Sequence, residues 1–277
     1  MPKLQRQSGA PQQEDRSVKN YRITVEYDGT RYRGWQVLKN SDATIQGKLQ
    51  NVLATLAGCE IDVIGSGRTD AGVHAIGQVA NFHIPEVKKE DGTSCTKEDI
   101  REYLNRYLPE DIAVTAIDEV DERFHSRYHA EAKTYRYRIH TSTTPNVFER
   151  KYVYTYLDAP LDVERMKKAA AYLVGTYDFA SFCGNRKMKK STVRTIFAID
   201  IRSDEREIVI DYTGDGFLQN MIRIITGTLI EIGSGRLAPE DMERIRDARD
   251  RASAGYTAPP QGLMLMEVTY GKMGSCK

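Results

Sequence analysis

The feature that most constrains this chain is a switch between two hydrophobic periods, one of two residues and one of three to four, in an order that occurs twice. Tyr21 to Tyr27 is rich in β-branched and aromatic residues and stops at Asp28-Gly29, as a strand closing in a turn does. Ile45, Leu49, Val52, Leu53 and Leu56 then recur at helical spacing, with Thr44 placed to cap the first turn and Gly58 to end the last. Ile61 to Ile64 and Ile76 to Ile84 read as strands, the second with Ile76, Ala80, Phe82 and Ile84 on one face. A helix is expected over Lys97 to Tyr107, ahead of Pro109, and Ile112 to Val120 alternates as a strand. The second half repeats this order. Lys133 to His140 reads as a strand, Asp162 to Val174 as a helix closed by Gly175, and Val193 to Ile201 with Glu207 to Tyr212 as a hairpin. Phe217 to Ile232 follows as a strongly apolar helix, an extra helix opens at Pro239, and Leu263 to Tyr270 supplies the last strand.

Strand, helix, strand, strand, helix, strand, twice over, specifies an α+β chain of two split βαβ units. Each is a ferredoxin-like half with a mainly antiparallel sheet and helices on one face, the two joined around a central cleft. The expected divisions are a disordered N-terminal arm over 1–19, an N-terminal half over 20–120, and a C-terminal half with the extra helix over 121–277. A sheet covered by helices on one side must meet water, a ligand or the other half on its second side, so the cleft is the expected binding site. The arm is polar and has no apolar signal-peptide core, and no apolar run reaches bilayer length; a cytoplasmic protein without a membrane partner is expected.

Cys59, Cys95, Cys183 and Cys276 lie far apart with no CxxC pair, which argues against a zinc site or a disulfide framework and for reduced thiols. The 40 basic and 39 acidic residues nearly cancel, but affinity for phosphate depends on where cations gather. One group is Arg31 and Arg33; a second is Arg123, Arg127, Lys133, Arg136 and Arg138; a third is Arg186, Lys187, Lys189, Lys190 and Arg194. Any one group describes a solvated face. Three of them, separated by aromatic-rich strands, favour an RNA partner, with Arg31, Arg33, Lys187, Lys189 and Lys190 as expected backbone contacts.

The loop Gly65-Ser66-Gly67-Arg68-Thr69-Asp70-Ala71-Gly72-Val73-His74 carries the densest chemical signal. Its glycines permit tight turns and close approach to a ligand, while Arg68 and Asp70 set opposite charges at a strand-to-strand junction. It is no phosphate loop, since it lacks the Lys-Ser/Thr ending and leads into a strand. Spacing alone leaves Asp70 two roles, a reactive carboxylate or an Asx-type turn former. Arg223 is a second anomaly, an ionic group inside an otherwise apolar helix, where burying an unpaired guanidinium costs several kcal/mol. It calls for an anion such as Asp70, for a purely structural ion pair, or for a side chain that snorkels to water. In Lys133-Thr134-Tyr135-Arg136-Tyr137-Arg138, alternation puts the tyrosines on one face and the arginines on the other, suited to stacking on bases and meeting phosphates, or equally to a core face backed by a solvated one. His125 and His129 have the spacing of a helical metal pair but lie in a loop, so no metal site is expected.

Taken together, these segments resemble the tRNA pseudouridine synthase A (TruA) family from about Tyr21 to Tyr270. The matching stretches are Tyr27-Asp28-Gly29-Thr30, Gly34-Trp35-Gln36, Gly67-Arg68-Thr69-Asp70-Ala71-Gly72-Val73-His74, Phe124-His125-Ser126-Arg127, Tyr135-Arg136-Tyr137, Gly216-Phe217-Leu218, Met221-Ile222-Arg223 and Gly262-Leu263. Tyr32 and Tyr107 depart from common family choices. The resemblance implies a pseudouridine synthase fold and cofactor-free isomerisation of uridine in the tRNA anticodon stem-loop, at positions 38, 39 and 40, by a homodimer. It puts the nucleophile at Asp70, a base-stacking ring at Tyr135, an active-site arginine at Arg223, a base-evicting arginine at Arg68 and an apolar packing residue at Leu265. The other readings are a synthase acting at other RNA positions and a non-catalytic RNA-binding or chaperone module, in which Asp70 would be a turn former.

Overall fold

The computed structural model describes residues 17–185 and 187–271. Most of the arm, together with Arg186 and Cys276, lies outside those residues. The elements run β1 (Val18–Tyr27), α1 (Ile45–Ala57), β2 (Val63–Gly65), β3 (His74–Pro85), α2 (Lys97–Tyr107), β4 (Ile112–Val120), β5 (Ala130–His140), β6 (Tyr154–Thr155), α3 (Val163–Ala171), β7 (Gly175–Asp178), β8 (Val193–Ser203), β9 (Glu207–Gly214), α4 (Met221–Gly233), α5 (Asp241–Ala248) and β10 (Leu263–Tyr270). Val18 and Lys19, expected in the arm, are already paired in β1, across from Pro85 and Ile84. None of these helices is long and apolar enough to cross a membrane.

The chain is an α+β protein with one large sheet, in the order β4-β1-β3-β10-β5-β9-β8-β7, with β2 beside β3 and β6 beside β5. The N-terminal strands alone lie in the order β4-β1-β3-β2, and β10-β5-β9-β8 repeats that arrangement. The two sets join where β3 and β10 run parallel, in register only at His74 with Met264 and Ala75 with Leu265. Past that point β3 continues against β2 and β10 against β5. Because β2 and β10 share one edge of β3, β2 is limited to the stretch opposite Ala80 to Phe82, and Ile61 is buried without strand pairing.

The local signals act as their chemistry dictates. Thr44 accepts from Gly47 N–H at the start of α1, and Gly58 ends it in the left-handed region at φ +70°. Thr96 and Asp99 form a reciprocal capping box on α2. Three expectations are corrected. Ile76 does not share the core face of Phe82 and is 44% exposed. On β1 the register advances from Val25 to Tyr27 while β3 goes from Gln78 to Ala75, so β3 carries an extra residue that reverses the side-chain phase. α3 ends at Ala171, three residues short of the expected Val174, with Tyr172 as its C-cap. α4 begins at Met221 and not at Phe217, because Asn220 takes the left-handed region at φ 58° and the preceding segment is a loop.

α4 is buried along nearly its whole length, and Tyr212 on β9 reaches it through a 2.8 Å hydrogen bond with Thr226. A strap over residues 254–258 crosses the helix closely: a β-carbon on Gly227 would lie 1.9 Å from the Tyr256 carbonyl oxygen. Gly255 N–H donates to Thr228 Oγ1 at 3.0 Å, and Ala258 N–H donates to the Arg223 carbonyl at 3.0 Å. The strap therefore seats only on glycine. Gly227→Ala is expected to destabilise the protein by about 2–3 kcal/mol through overpacking, against about 1 kcal/mol for Gly58→Asn, where nothing lies within 4 Å of the added carbon and the left-handed backbone at φ +70° is the only cost. Denaturant titration of both variants checks this.

Candidate active site

The segment Ser66 to Val73 between β2 and β3 is held by its main chain. Ser66 N–H donates to the Val79 carbonyl at 2.7 Å, and Val73 N–H donates to the Asp70 carbonyl at 3.2 Å. Trp35 N–H donates to the Thr69 carbonyl at 3.1 Å, while the Tyr27 hydroxyl bonds the Thr69 hydroxyl at 2.8 Å. The preceding loop can come this close because Gly34 sits at φ +96°, where a β-carbon would lie 2.5 Å from the Thr69 carbonyl oxygen. The Trp35 indole lies against Gly65, whose added β-carbon would meet the ring at 2.5 Å. Among the described residues the Asp70 carboxylate accepts from no backbone amide. The turn-former reading therefore has no hydrogen bond to support it, and the side chain is left free to face the cleft.

Its partner comes from the other end of the chain. Arg223 lies in the first turn of α4, with Nε donating to the Ala258 carbonyl at 2.7 Å and Nη1 donating to Asn220 Oδ1 at 2.9 Å. Nη1 stands 3.5 Å from Asp70 Oδ2, the two side chains being 15% and 29% exposed. A charge-assisted bond of full strength is shorter, near 2.8 Å. The guanidinium is thus fixed by two other acceptors and aimed at a carboxylate that it does not clamp. Burial pushes the Asp70 carboxyl above its ordinary range, and Arg223 opposes that shift.

Tyr135 stands on β5 behind Gly67, its hydroxyl 3.8 Å from where a β-carbon on that glycine would be, and its ring packs edge-on to Phe217 at 5.4 Å. It is 7% exposed and still borders the cleft. Burial raises its phenol pKa, which keeps the hydroxyl protonated. Arg68 is exposed at the cleft wall and has no hydrogen-bond or ion-pair partner among the described residues. Leu265 does not reach the cleft. It is fully buried opposite Tyr135 in the β5–β10 register, so the two side chains share one face of the sheet, and Leu263 lies in the cleft wall.

The cleft has a volume of about 820 Å³. Arg33, Arg68, Arg127, Lys133, Lys189, Lys190 and Arg194 border it, and among the described residues Asp70 is the one acidic residue in its wall. The other expected cations divide. Lys187 is exposed beside the cleft without bordering it. Arg31 is turned to Asp111, which also receives the Tyr32 hydroxyl. Arg136 is held bidentately by Asp211 at 2.8 and 3.0 Å, and Arg138 by Glu207 and Glu149, so the arginine face of β5 is already neutralised. That face lies at a second concavity rich in carboxylates, Glu26, Asp28, Glu110, Asp111, Glu149, Asp204 and Glu207. The two concavities thus carry opposite charge, which the near-zero net charge of the chain does not reveal. His125 and His129 spend their Nδ1 atoms accepting backbone N–H groups of the loop.

Sequence reasoning missed Asn220 and Ala258, the two groups that fix Arg223. Neither side-chain type signals such a role, and only the left-handed turn and the strap bring them there. It also left Trp35 and Gly34 without a function, although both lie in a stretch already singled out.

A family model described as tRNA pseudouridine synthase matches residues 23–129 and 169–271. A tRNA pseudouridine synthase A of Bacillus sp. (strain KSM-64) is 45% identical over 253 residues, covering 91% of this chain and 100% of that relative. The tRNA pseudouridine synthase A 2 of Bacillus anthracis and the tRNA pseudouridine synthase A of Acetivibrio thermocellus are each 42% identical over 253 residues, with the same coverage. With half of the chain or more matched by the family model and full-length relatives above 40% identity, the chain belongs to the tRNA pseudouridine synthase A family of isomerases.

Proposed function

We propose that the protein converts uridine to pseudouridine in the tRNA anticodon stem-loop, at positions 38, 39 and 40, with Asp70 as the nucleophile. The observation that carries this reading is a single carboxylate, free of backbone bonds, in the wall of a basic cleft and faced by an arginine with its own anchors. The same observation weighs against a non-catalytic RNA-binding module, which would have no use for a partly desolvated carboxylate that holds no turn.

The chemistry asks little else of the protein. The C1′–N1 bond breaks, the uracil turns, C5 bonds to C1′ and gives up its proton, and N1 takes up a proton from solvent; all other atoms are retained and no electrons are exchanged, so no cofactor is required. The target base must first leave its stack, at a cost of a few kcal/mol. Arg68, exposed and unpartnered, fills the vacated space, and the Tyr135 ring stacks on the extruded uracil. The Asp70 carboxylate then adds to C1′, or takes the C2′ proton on the way to a glycal. Arg223 keeps it ionised and aimed. Arg33, Lys189 and Lys190 meet the RNA backbone. The matching strand orders on either side of β3–β10 support two ferredoxin-like halves, 20–120 and 121–277, with Asp70 from the first and Arg223 from the second. The family resemblance supports a homodimer.

Asp70→Ala is expected to abolish tritium release from 5-labelled uridine in tRNA, by on the order of 10⁴-fold or more, with tRNA affinity within about threefold. Release equal to wild type by a folded variant overturns the assignment, and carbodiimide-based mapping of the product identifies the uridines modified. The reaction needs the ionised carboxylate, so activity is present above its pKa and lost as pH falls through it. Removing the cation that opposes the burial shift raises that pKa, and the acid limb of kcat/KM should move to higher pH in Arg223→Gln. Replacing Lys189 and Lys190 by Ala is expected to weaken binding and reduce the slope of log affinity against log salt by roughly 1 to 2.

A further inference from the structure

Lys133 borders the same cleft and has no place in the chemistry above. Its Nζ donates to the Ser66 carbonyl at 2.8 Å, at the start of the loop that carries Asp70. A β-carbon on Gly67 would lie 3.6 Å from that nitrogen and 3.8 Å from the Tyr135 hydroxyl, so ammonium and phenol stand on either side of the same glycine. Lys133 and Tyr135 are two residues apart on β5 and project from the same face. An ammonium has three N–H donors. One is used on Ser66, and the others have no protein acceptor among the described residues, nor is any carboxylate within ion-pair distance.

The surrounding charges are of the wrong sign for a lysine. Arg127 from the loop before β5 and Arg194 from β8 act against its positive charge, and Asp215 after β9 acts for it. The Asp215 carboxylate is itself engaged by Thr195 N–H at 3.0 Å. Arg68 and Asp70 face the cleft from the loop, and the Tyr135 phenol stays protonated. Burial first, and the two arginines second, draw the lysine down to about 8. A partly desolvated cation beside two guanidiniums is stable only with an anion at hand or with its proton gone.

We infer that Lys133, with Arg127 and Arg194, forms a phosphate subsite on the cleft floor that grips the backbone of the extruded nucleotide and, through the Ser66 carbonyl, couples that grip to the Asp70 loop. The inference rests on the reading of the cleft as an RNA site. An arriving phosphodiester supplies the missing anion and accepts the unused N–H groups. It also favours the charged amine, so binding above pH 8 draws a proton from solvent. Affinity is then constant well below pH 8 and falls as pH rises through it.

The test is the affinity for an unmodified tRNA transcript between pH 6 and pH 9, measured in an Asp70→Asn background that removes turnover. With Lys133 present, Kd at pH 9 is expected to be about tenfold weaker than at pH 7. Lys133→Arg, charged throughout, should lose that pH dependence and bind within about threefold at pH 7. Lys133→Met should also lose it and bind at least about tenfold more weakly at pH 7. An unchanged pH dependence in either variant, or undiminished affinity in Lys133→Met, overturns the subsite. Tritium release by the wild-type protein is measured in parallel; its absence would overturn the isomerase reading without deciding the binding result.

Discussion

The anchoring of one guanidinium governs the geometry of the cleft. Arg223 lies in a helix that is otherwise apolar, and an unpaired charge there would cost several kcal/mol. The structure meets that cost with acceptors that lie outside the sheet, the Ala258 carbonyl of the strap and the Asn220 amide oxygen at the helix start. Both depend on backbone features. Asn220 occupies the left-handed region, which turns the chain into α4 at the residue before Met221, and the strap reaches the helix because Gly227 has no side chain in its way. Arg223 thus arrives at Asp70 already satisfied, and the 3.5 Å contact leaves the carboxylate oxygens unclamped at the cleft.

Asp70 is held with comparable care, though by groups that never touch its carboxylate. Tyr27, Gly34, Trp35 and Thr69 fix the main chain of the loop, and the extra residue in β3 sets the strand phase just after it. The loop enters β3 where that strand meets β10 for only two register pairs before the two part. A side chain at this point is therefore carried by the N-terminal strands and still faces the C-terminal helix α4. The Asp70–Arg223 contact spans 153 positions of sequence.

Charge is organised on the same plan. Seven cations with a single carboxylate form one concavity, and seven carboxylates form the other, with Arg136 and Arg138 at the second spent on neighbouring acids. Such a charge asymmetry is of the kind that orients an approaching polyanion before any specific contact forms. Net charge conveys none of this, because it sums over both faces.

What the sequence by itself determined is the local order of elements and the residues from which the proposed site is built. Thr44, Gly58 and Pro109 mark helix ends through interactions within a few residues, so they act wherever the chain sits. The Arg-Thr-Asp-Ala-Gly loop and the lone arginine of an apolar helix likewise stand out without coordinates. Tertiary structure alone decided the rest, because those features arise from contacts between distant segments. The phase reversal that exposes Ile76 comes from a bulge set by pairing with β1; the late start of α4 follows the left-handed turn at Asn220, which uniform apolarity hides. Leu265 packs beside Tyr135 only because β10 pairs with β5, and Arg31 looks like a phosphate contact until Asp111, 80 residues away, is seen to bond it. Local chemistry named Asp70 and Arg223; only the meeting of β3, β10 and the strap placed one before the other.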